Sequence, residues 1–361
     1  MAKEKVLSAS RIKTLKECSY KYWCNYHKKL PESTNDGQIR GTVCHTVLEM
    51  LLHERHKRYV KIISDSRTIE SVPSVARLVK KNLTKLGHWS EQNYTMCDEM
   101  LLVALDLDFF GKRGASIPNP EKEFLIESEN PKFKIRGYID KPIEYKSKIK
   151  MVDYKTSKDK FSPKEIDFPI QGLTYLLAAR ALWPKIKKTS IEFQFLRWPE
   201  EPTIEIKATQ EELDGFEIYL AGVFNIINNF TELDSTTNLP AYEKYPPPED
   251  GFVGPLLCGY GKYPGHIKPA TGLPYWVCEY KWPYDYYALL DEKGKVLKVS
   301  KDEEELQGME GIVEKKHHEG CPAHKPNLKL KEEHIAQGKE VGDVDGGSDS
   351  NAGKIIDDFD F

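Results

Sequence analysis

Three side chains carry the chemistry that this sequence first suggests. Asp140 closes an apolar run, Gly137-Tyr138-Ile139-Asp140, and Asp153 interrupts a second, Val152-Asp153-Tyr154-Lys155. In an extended strand, residues two apart share a face, so Asp153 and Lys155 point the same way. Strands lying side by side are about 5 Å apart, close enough for the two carboxylates to converge on a hard, oxygen-seeking cation such as Mg²⁺ or Mn²⁺. Such an ion polarises a phosphoryl oxygen and acidifies bound water. A lysine beside it can orient that water or neutralise charge growing in the transition state. The chemistry is hydrolysis at a phosphate. Taken alone, an Asp-x-Lys pattern describes solvated strand ends and a surface lysine equally well.

The elements around these residues follow from periodicity and turn signals. A helix is expected over 8–30, opening at Ser8 or Ser10 and rich in bases and aromatics (Arg11, Lys13, Lys16, Tyr20, Lys21, Tyr22, Trp23). Helical patterns continue over 38–59 and 73–110. Short alternating runs then predict strands at Glu123–Ile126, Phe133–Asp140 and Ile149–Lys155, the last two joined as a hairpin through the polar Tyr145–Lys148. Gln171–Leu182 reads as a helix and Ile191–Arg197 as a strand. Thr209 and Glu212 form a capping box that opens a helix running to about Phe230. The Pro-rich Tyr245–Pro248 marks a change of region. Tyr284–Leu290 and Lys295–Val299 flank a Glu-Lys-Gly turn as a second hairpin. Strand and helix signals alternate, which predicts an α/β class.

Five motifs in order resemble the PD-(D/E)XK nucleases, specifically their RecB-like branch, which includes the AddB nuclease domain and the CRISPR-associated RecB-type exonucleases. They are Ser8-Ala9-Ser10-Arg11-Ile12 with Cys18 and Tyr22; Gly41 followed by His45; Gly137–Asp140; Asp153–Thr156; and Gln171 with Tyr175. The resemblance covers about 8–200. It implies a restriction-endonuclease-like core, a mixed central sheet flanked by helices. It implies His45, Asp140 and Asp153 as metal ligands, Lys155 as the catalytic lysine, and Gln171 and Tyr175, one helical turn apart, as residues that order the site and contact DNA. Glu123 stands where the family often has a Glu on the first core strand. His45 on its apolar helix also reads as a core histidine, and Gln171 and Tyr175 as ordinary helix-face residues.

Seven cysteines raise a further possibility. In many RecB-type nucleases one cysteine before the core joins three after it around a [4Fe–4S] cluster. Here the resemblance points to Cys18, Cys258, Cys278 and Cys321, although 19 and then 42 residues separate the last three, which the family usually places close together. Four thiolates suit such a cluster. Zn²⁺ on Cys258, Cys278, Cys321 and His324 is a competing set, since Cys321-Pro322-Ala323-His324 has a workable ligand spacing. Structural thiols are the third reading. Cys24, Cys44 and Cys97 look like buried apolar residues.

Composition sets the frame. The net charge is −3, and residues 340–361 hold seven acids against Lys354. Removing that −6 leaves the body at +3, which permits nucleic-acid binding without demanding it. The expected layout is a nuclease core with a helical N-terminal wrap over 1–240, a Cys-bearing region over 241–330, and an acidic, disordered tail over 331–361. The tail ends Asp357-Asp358-Phe359-Asp360-Phe361, similar to the C-terminal peptide of single-stranded-DNA-binding proteins. It would dock on a replication or recombination protein, fold back over the DNA site, or simply solubilise the chain. The N-terminal helix could stack bases on its aromatics, or pack them inward. No apolar run approaches the ~20 residues of a membrane span, and the N-terminus lacks a signal-like stretch, so a cytoplasmic protein is expected, in the host cytoplasm if phage-encoded. The resemblance implies a metal-dependent DNA exonuclease acting on single strands or ends in recombination, repair or replication. The alternatives are a structure-specific endonuclease on the same core, a non-catalytic DNA-binding or scaffold subunit, and an RNA-processing nuclease.

Overall fold

A computed structural model describes residues 5–239, 258 and 277–324. The Pro-rich break at 245–248 and the acidic tail, with its docking role, lie outside the described residues. Contacts divide the chain into two units, Met1–Ile12 with Thr34–Asn229, and Lys13–Ser33 with Phe230–Phe361.

The first unit is mixed α/β. Helix α1 (Ala9–Glu17) begins in this unit, whereas α2 (Ser19–Trp23) and a single π-helical turn, Cys24–Lys28, belong to the second. The expected helix over 8–30 is thus broken, because Cys18 takes an extended conformation and its thiol caps α2 by accepting from Lys21 N at 3.4 Å. Helix α3 (Asp36–Leu52) opens on a reciprocal Asn35/Gln38 capping box. It packs with α4 (Lys57–Ser66), α5 (Pro73–Lys85) and α6 (Glu91–Asp106) around Val47, Leu48, Leu51, Ile63, Val79 and Leu101. Ser90 caps α6 through Asn93 N.

The strands follow. β1 (Lys122–Glu129) and β2 (Lys132–Ile139) form an antiparallel hairpin, with Phe124 opposite Gly137. β3 (Lys141–Glu144), β4 (Lys148–Lys155), β5 (Lys188–Phe195) and β6 (Thr203–Ile206) make a four-stranded sheet in that order. β4 and β5 are parallel, the two outer pairings antiparallel. A parallel pair needs a long crossover, here α7 (Pro163–Asp167) and α8 (Ile170–Leu182). Helix α9 (Gln210–Asn229) starts on the expected capping box, Thr209 N to Glu212 Oε2 at 2.7 Å and Glu212 N to Thr209 Oγ1 at 3.2 Å.

One strand pairing differs from expectation. The run ending at Asp140 pairs with β1, and the hairpin partner of β4 is the short β3. Asp140 therefore sits at the corner where the chain leaves one sheet for the other. Lys141-Pro142 begins β3, an edge strand, where proline costs the ladder little.

In the second unit, β7 (Tyr284–Leu290) lies between β8 (Val296–Ser300) and β9 (Ile312–His318), all antiparallel. The β7–β8 hairpin was legible in sequence; β9, a run of charged residues, was not. Tyr20, Cys24, Leu30, Leu239, Tyr280 and Cys321 form this unit's buried cluster. No described helix is long and apolar enough to cross a membrane.

Candidate active site

Four stretches of the first unit bring acidic and imidazole groups to one place. His45 projects from the middle of α3. Its Nε2 lies 3.0 Å from the Tyr154 carbonyl, and because a carbonyl only accepts, that nitrogen carries the proton. Nδ1 faces Asp140 Oδ2 at 3.4 Å and Glu121 Oε1 at 3.9 Å. Gly41, one turn earlier on α3, explains how the helix comes this near to β4. A Cβ there would stand 2.8 Å from Thr156 Oγ1.

Asp140 is 7% exposed and its Oδ2 accepts from Tyr154 N at 2.8 Å. Burial, and then the neighbouring Asp153 charge, raise its pKa to about 7. Burial disfavours the His45 cation, but Glu121, Asp140 and Asp153 outweigh it and raise that pKa to about 9. Glu121 stands just before β1 at φ 51°, in the left-handed region, and its N–H donates to the Asp140 carbonyl at 2.9 Å. That backbone is costly for a residue with a Cβ; the hydrogen bond pins it, and the side chain is turned toward His45 and Asp140.

Asp153, 2% exposed on β4, is held from α8. Its Oδ1 accepts from Tyr175 OH at 2.8 Å and Gln171 Nε2 at 2.9 Å. Its Oδ2 has no aligned hydrogen-bond donor, although Lys155 Nζ is 2.8 Å away. Lys155 Nζ itself donates to Gln171 Oε1 at 2.7 Å. Gln171 thus grips the carboxylate with one end of its amide and the lysine with the other. Gly137 supports this from below. A Cβ there would lie 2.6 Å from Phe124 Cζ, so only glycine lets the Phe124 ring lie across the hairpin and meet Tyr175 edge-on at 6.2 Å.

Among the described residues, His45, Glu121 and Asp140 are the set whose donor atoms all lie within 4.8 Å of one another. One imidazole and two carboxylates suit a divalent ion. His45 has the outer hydrogen bond to a backbone carbonyl that ligating histidines commonly use to fix their tautomer. The raised pKa of Asp140 is what buried, closely packed carboxylates show.

Residues 6–244 match the PD-(D/E)XK nuclease superfamily. The chain belongs to that superfamily. The mixed β3–β6 sheet with its flanking helices is the nuclease core, and the acidic cluster at the ends of β2 and β4 is its candidate metal centre. No curated protein gives a significant match. A solved structure from Eubacterium rectale, described as a candidate exonuclease, aligns over 67% of this chain and 91% of its own, at 12% identity and a TM-score of 0.41. That likeness is too loose to carry an argument.

The nuclease core gathers His45, Asp140, Asp153, Lys155, Gln171 and Tyr175 as a group. It does not include Glu123, which is exposed on β1 and accepts from Tyr138 OH at 3.3 Å. Glu121, two residues earlier, stands at the site instead. Sequence reading missed it because strand alternation says nothing about a left-handed residue in a turn. Of the aromatics on the N-terminal helix, Tyr22 is fully buried and meets Phe230 edge-on at 4.9 Å, Tyr20 is buried with its hydroxyl on the Gly320 carbonyl at 2.8 Å, and Trp23 is half-buried.

The cysteines divide as their surroundings dictate. Cys24, Cys44 and Cys97 are wholly buried. In the second unit, Cys258, Cys278 and Cys321 share one neighbourhood with Cys18: burial raises the Cys258 and Cys321 thiols to about 12, with the nearby thiols adding to the rise. Cys278 N donates to the Cys258 carbonyl at 3.4 Å. His324 lies near Cys321 in the chain, and its pKa falls to about 4 through burial and Lys281.

Proposed function

We propose that this chain is a Mg²⁺- or Mn²⁺-dependent DNA exonuclease of the RecB-like branch, trimming strand ends in recombination, repair or replication. The supporting observation is the convergence of His45, Glu121, Asp140 and Asp153, from four separate parts of the first unit, beside one lysine. When bound, the ion would supply Lewis acidity to the scissile phosphate and a more acidic water. Asp140 and Asp153 would hold it with His45, and Glu121 would complete the set. Lys155 would aim its ammonium at the phosphate or the attacking water, placed by Gln171 Oε1. Tyr175 is 6% exposed and its hydroxyl is committed to Asp153. It acts as a positioning residue rather than a DNA contact.

The test is a pair of substrates. With Mn²⁺, the protein should release nucleotides from linear single-stranded DNA and leave a covalently closed circle intact. Cutting of the circle would make it an endonuclease. Release of nothing from either would make it a binding or scaffold subunit, and preference for RNA would move it to RNA processing. Asp153→Ala should abolish the activity.

In the second unit we propose a [4Fe–4S] cluster on Cys18, Cys258, Cys278 and Cys321. All four thiols share a neighbourhood, as a four-thiolate cluster needs. Zn²⁺ on Cys258, Cys278, Cys321 and His324 is the competing reading. Iron, sulfide and zinc analysis of anaerobically purified protein decides the matter: iron with sulfide and a brown colour supports the cluster, stoichiometric zinc without iron removes it.

A further inference from the structure

Away from the acidic centre, a cavity of about 500 Å³ opens at the beginnings of β4 and β5. Six lysines line it (Lys112, Lys148, Lys150, Lys187, Lys188, Lys207) against two carboxylates, Asp108 and Glu205. That local +4 stands in a chain whose net charge is −3. Three of the lysines are partly neutralised: Lys150 by Glu192 at 2.6 Å, Lys207 by Glu205 at 2.7 Å, and Lys112 by Asp108 at 3.9 Å. Lys148, Lys187 and Lys188 have no carboxylate partner among the described residues, and Lys148 lies over the Tyr145 ring at 4.5 Å.

The sheet explains the placement. Lys148 pairs with Lys188 at the start of the parallel strands, and Asp153 with Phe193 toward their ends. From Lys148 and Lys188 the lining runs up the strands to Val152 and Gln194, the latter opposite Tyr154, so the sheet itself, and not distance along it, separates the cavity from the acidic centre. Alternation turns Lys148, Lys150 and Val152 to the face opposite Asp153 and Lys155. A molecule in this cavity would therefore not touch the acidic cluster.

Gln194 gives the cavity a second kind of recognition. It lines the wall, is 1% exposed, and its Nε2 donates to Glu192 Oε1 at 2.8 Å. A carboxylate can only accept, so the amide orientation is fixed and Oε1 is the end left over. That oxygen is buried without a donor. A buried acceptor left unmatched is costly, and a ligand N–H would satisfy it. Ile143 and Val152 are apolar residues of the same lining.

We propose that this cavity binds a nucleotide, its base amino group donating to Gln194 Oε1 and its phosphates lying on Lys148, Lys187 and Lys188. The volume falls within the ~300–1,000 Å³ of small-molecule sites. The nucleotide could be free in solution or terminal in a DNA strand, and the two share this chemistry.

The experiment titrates ATP into the full-length protein by calorimetry, in EDTA so that the acidic centre holds no cation. Tripolyphosphate is the charge-matched control. ATP should bind about tenfold or more tighter than tripolyphosphate, since only it satisfies Gln194. Lys187→Ala/Lys188→Ala, both exposed and checked for folding by the thermal melt, should weaken ATP and tripolyphosphate together by about tenfold. Gln194→Met, checked for folding by its thermal melt, should weaken ATP alone. Displacement of ATP by a 5′-phosphorylated single-stranded 12-mer would identify a strand end as the occupant, and retention would identify the free nucleotide. No ATP binding, equal binding of ATP and tripolyphosphate, or an undiminished affinity in the lysine double variant would each overturn the proposal.

Discussion

Tyr175→Phe separates a residue that positions a ligand from one that handles substrate. The Tyr175 hydroxyl donates to Asp153 Oδ1 at 2.8 Å, and Gln171 Nε2 donates to the same oxygen at 2.9 Å. Removing the hydroxyl leaves the carboxylate with one of its two donors, while the ring keeps its edge-on contact with Phe124. A hydrogen bond to a charged group contributes about 1.5–3 kcal/mol, which at 1.4 kcal/mol per decade is about a 10–100-fold change in an equilibrium constant. The surviving Gln171 donor still holds the carboxylate, so the lower end applies, about tenfold to thirtyfold. The loss should fall on the cation. Half-saturating Mn²⁺ for hydrolysis of an end-labelled linear DNA should rise by that factor, the rate at saturating Mn²⁺ should stay within about threefold of wild type, and KM for DNA should not move. An unchanged Mn²⁺ requirement, or an undiminished defect at saturating Mn²⁺, would refute the positioning argument. A rise in KM for DNA alone would return Tyr175 to substrate contact.

Other expectations follow from the same geometry. Glu121→Gln should weaken Mn²⁺ binding by about tenfold or more, as loss of a charged group at a metal site does, whereas Glu123→Gln should change nothing; calorimetry on the two variants checks both. Lys155→Met should leave Mn²⁺ binding intact but lower the rate at saturating metal by about 10²–10³-fold, the size of losing one transition-state donor. Gly41→Ala should force α3 away from Thr156 and cost about 1–3 kcal/mol of stability, read as a lower denaturant midpoint, with hydrolysis falling as His45 moves. The pH dependence has a definite sign. In the metal-free protein Asp140 is raised from 3.8 to about 7 and His45 from 6.5 to about 9, so folding takes up protons. Stability from Asp140 is full below about 3.8 and lost as pH rises to about 7, and that from His45 is full below 6.5 and lost as pH rises to about 9. Bound cation runs the other way, since both groups must shed their protons. Mn²⁺ affinity should climb with pH and level off near 9, with protons released on binding; a flat profile between pH 6 and 9 would contradict the ligand set.

The sheet carries a lesson about the site. An active centre built on one face of β4 uses the alternation of a single strand: Asp153 and Lys155 face α8, while the carbonyl and N–H of Tyr154 between them hold His45 and Asp140. Backbone and side chains of three consecutive residues thus organise the centre from both sides. β5 pairs with all three residues, whereas β3 reaches only to Val152, which leaves the other edge of Tyr154 open to His45 and Asp140.

Much of this was legible in the residue order. Apolar runs bounded by turn signals located β4, β5, α8, α9 and the β7–β8 hairpin, because β4 and α8 are buried along continuous stretches and α9 along one face. The two-residue spacing of Asp153 and Lys155, and the one-turn spacing of Gln171 and Tyr175, fixed which side chains share a face before any packing was known. The break at Cys18 was not legible, since nothing in a helical pattern announces a thiol turned back to cap the next turn. Nor was the pairing of β2: adjacency in sequence suggested β4, and only the competition for hydrogen-bond partners put β1 there and left Asp140 at a corner. Glu121 depended on that corner as well. Its backbone is left-handed and tied to the Asp140 carbonyl, a contact that exists only after the chain has changed sheets. Local chemistry in a strand or helix is set by spacing along the chain, and spacing is written in sequence. The meeting of α3, the turn before β1 and the ends of β2 and β4 depends on which surfaces pack, and that is decided by the fold as a whole.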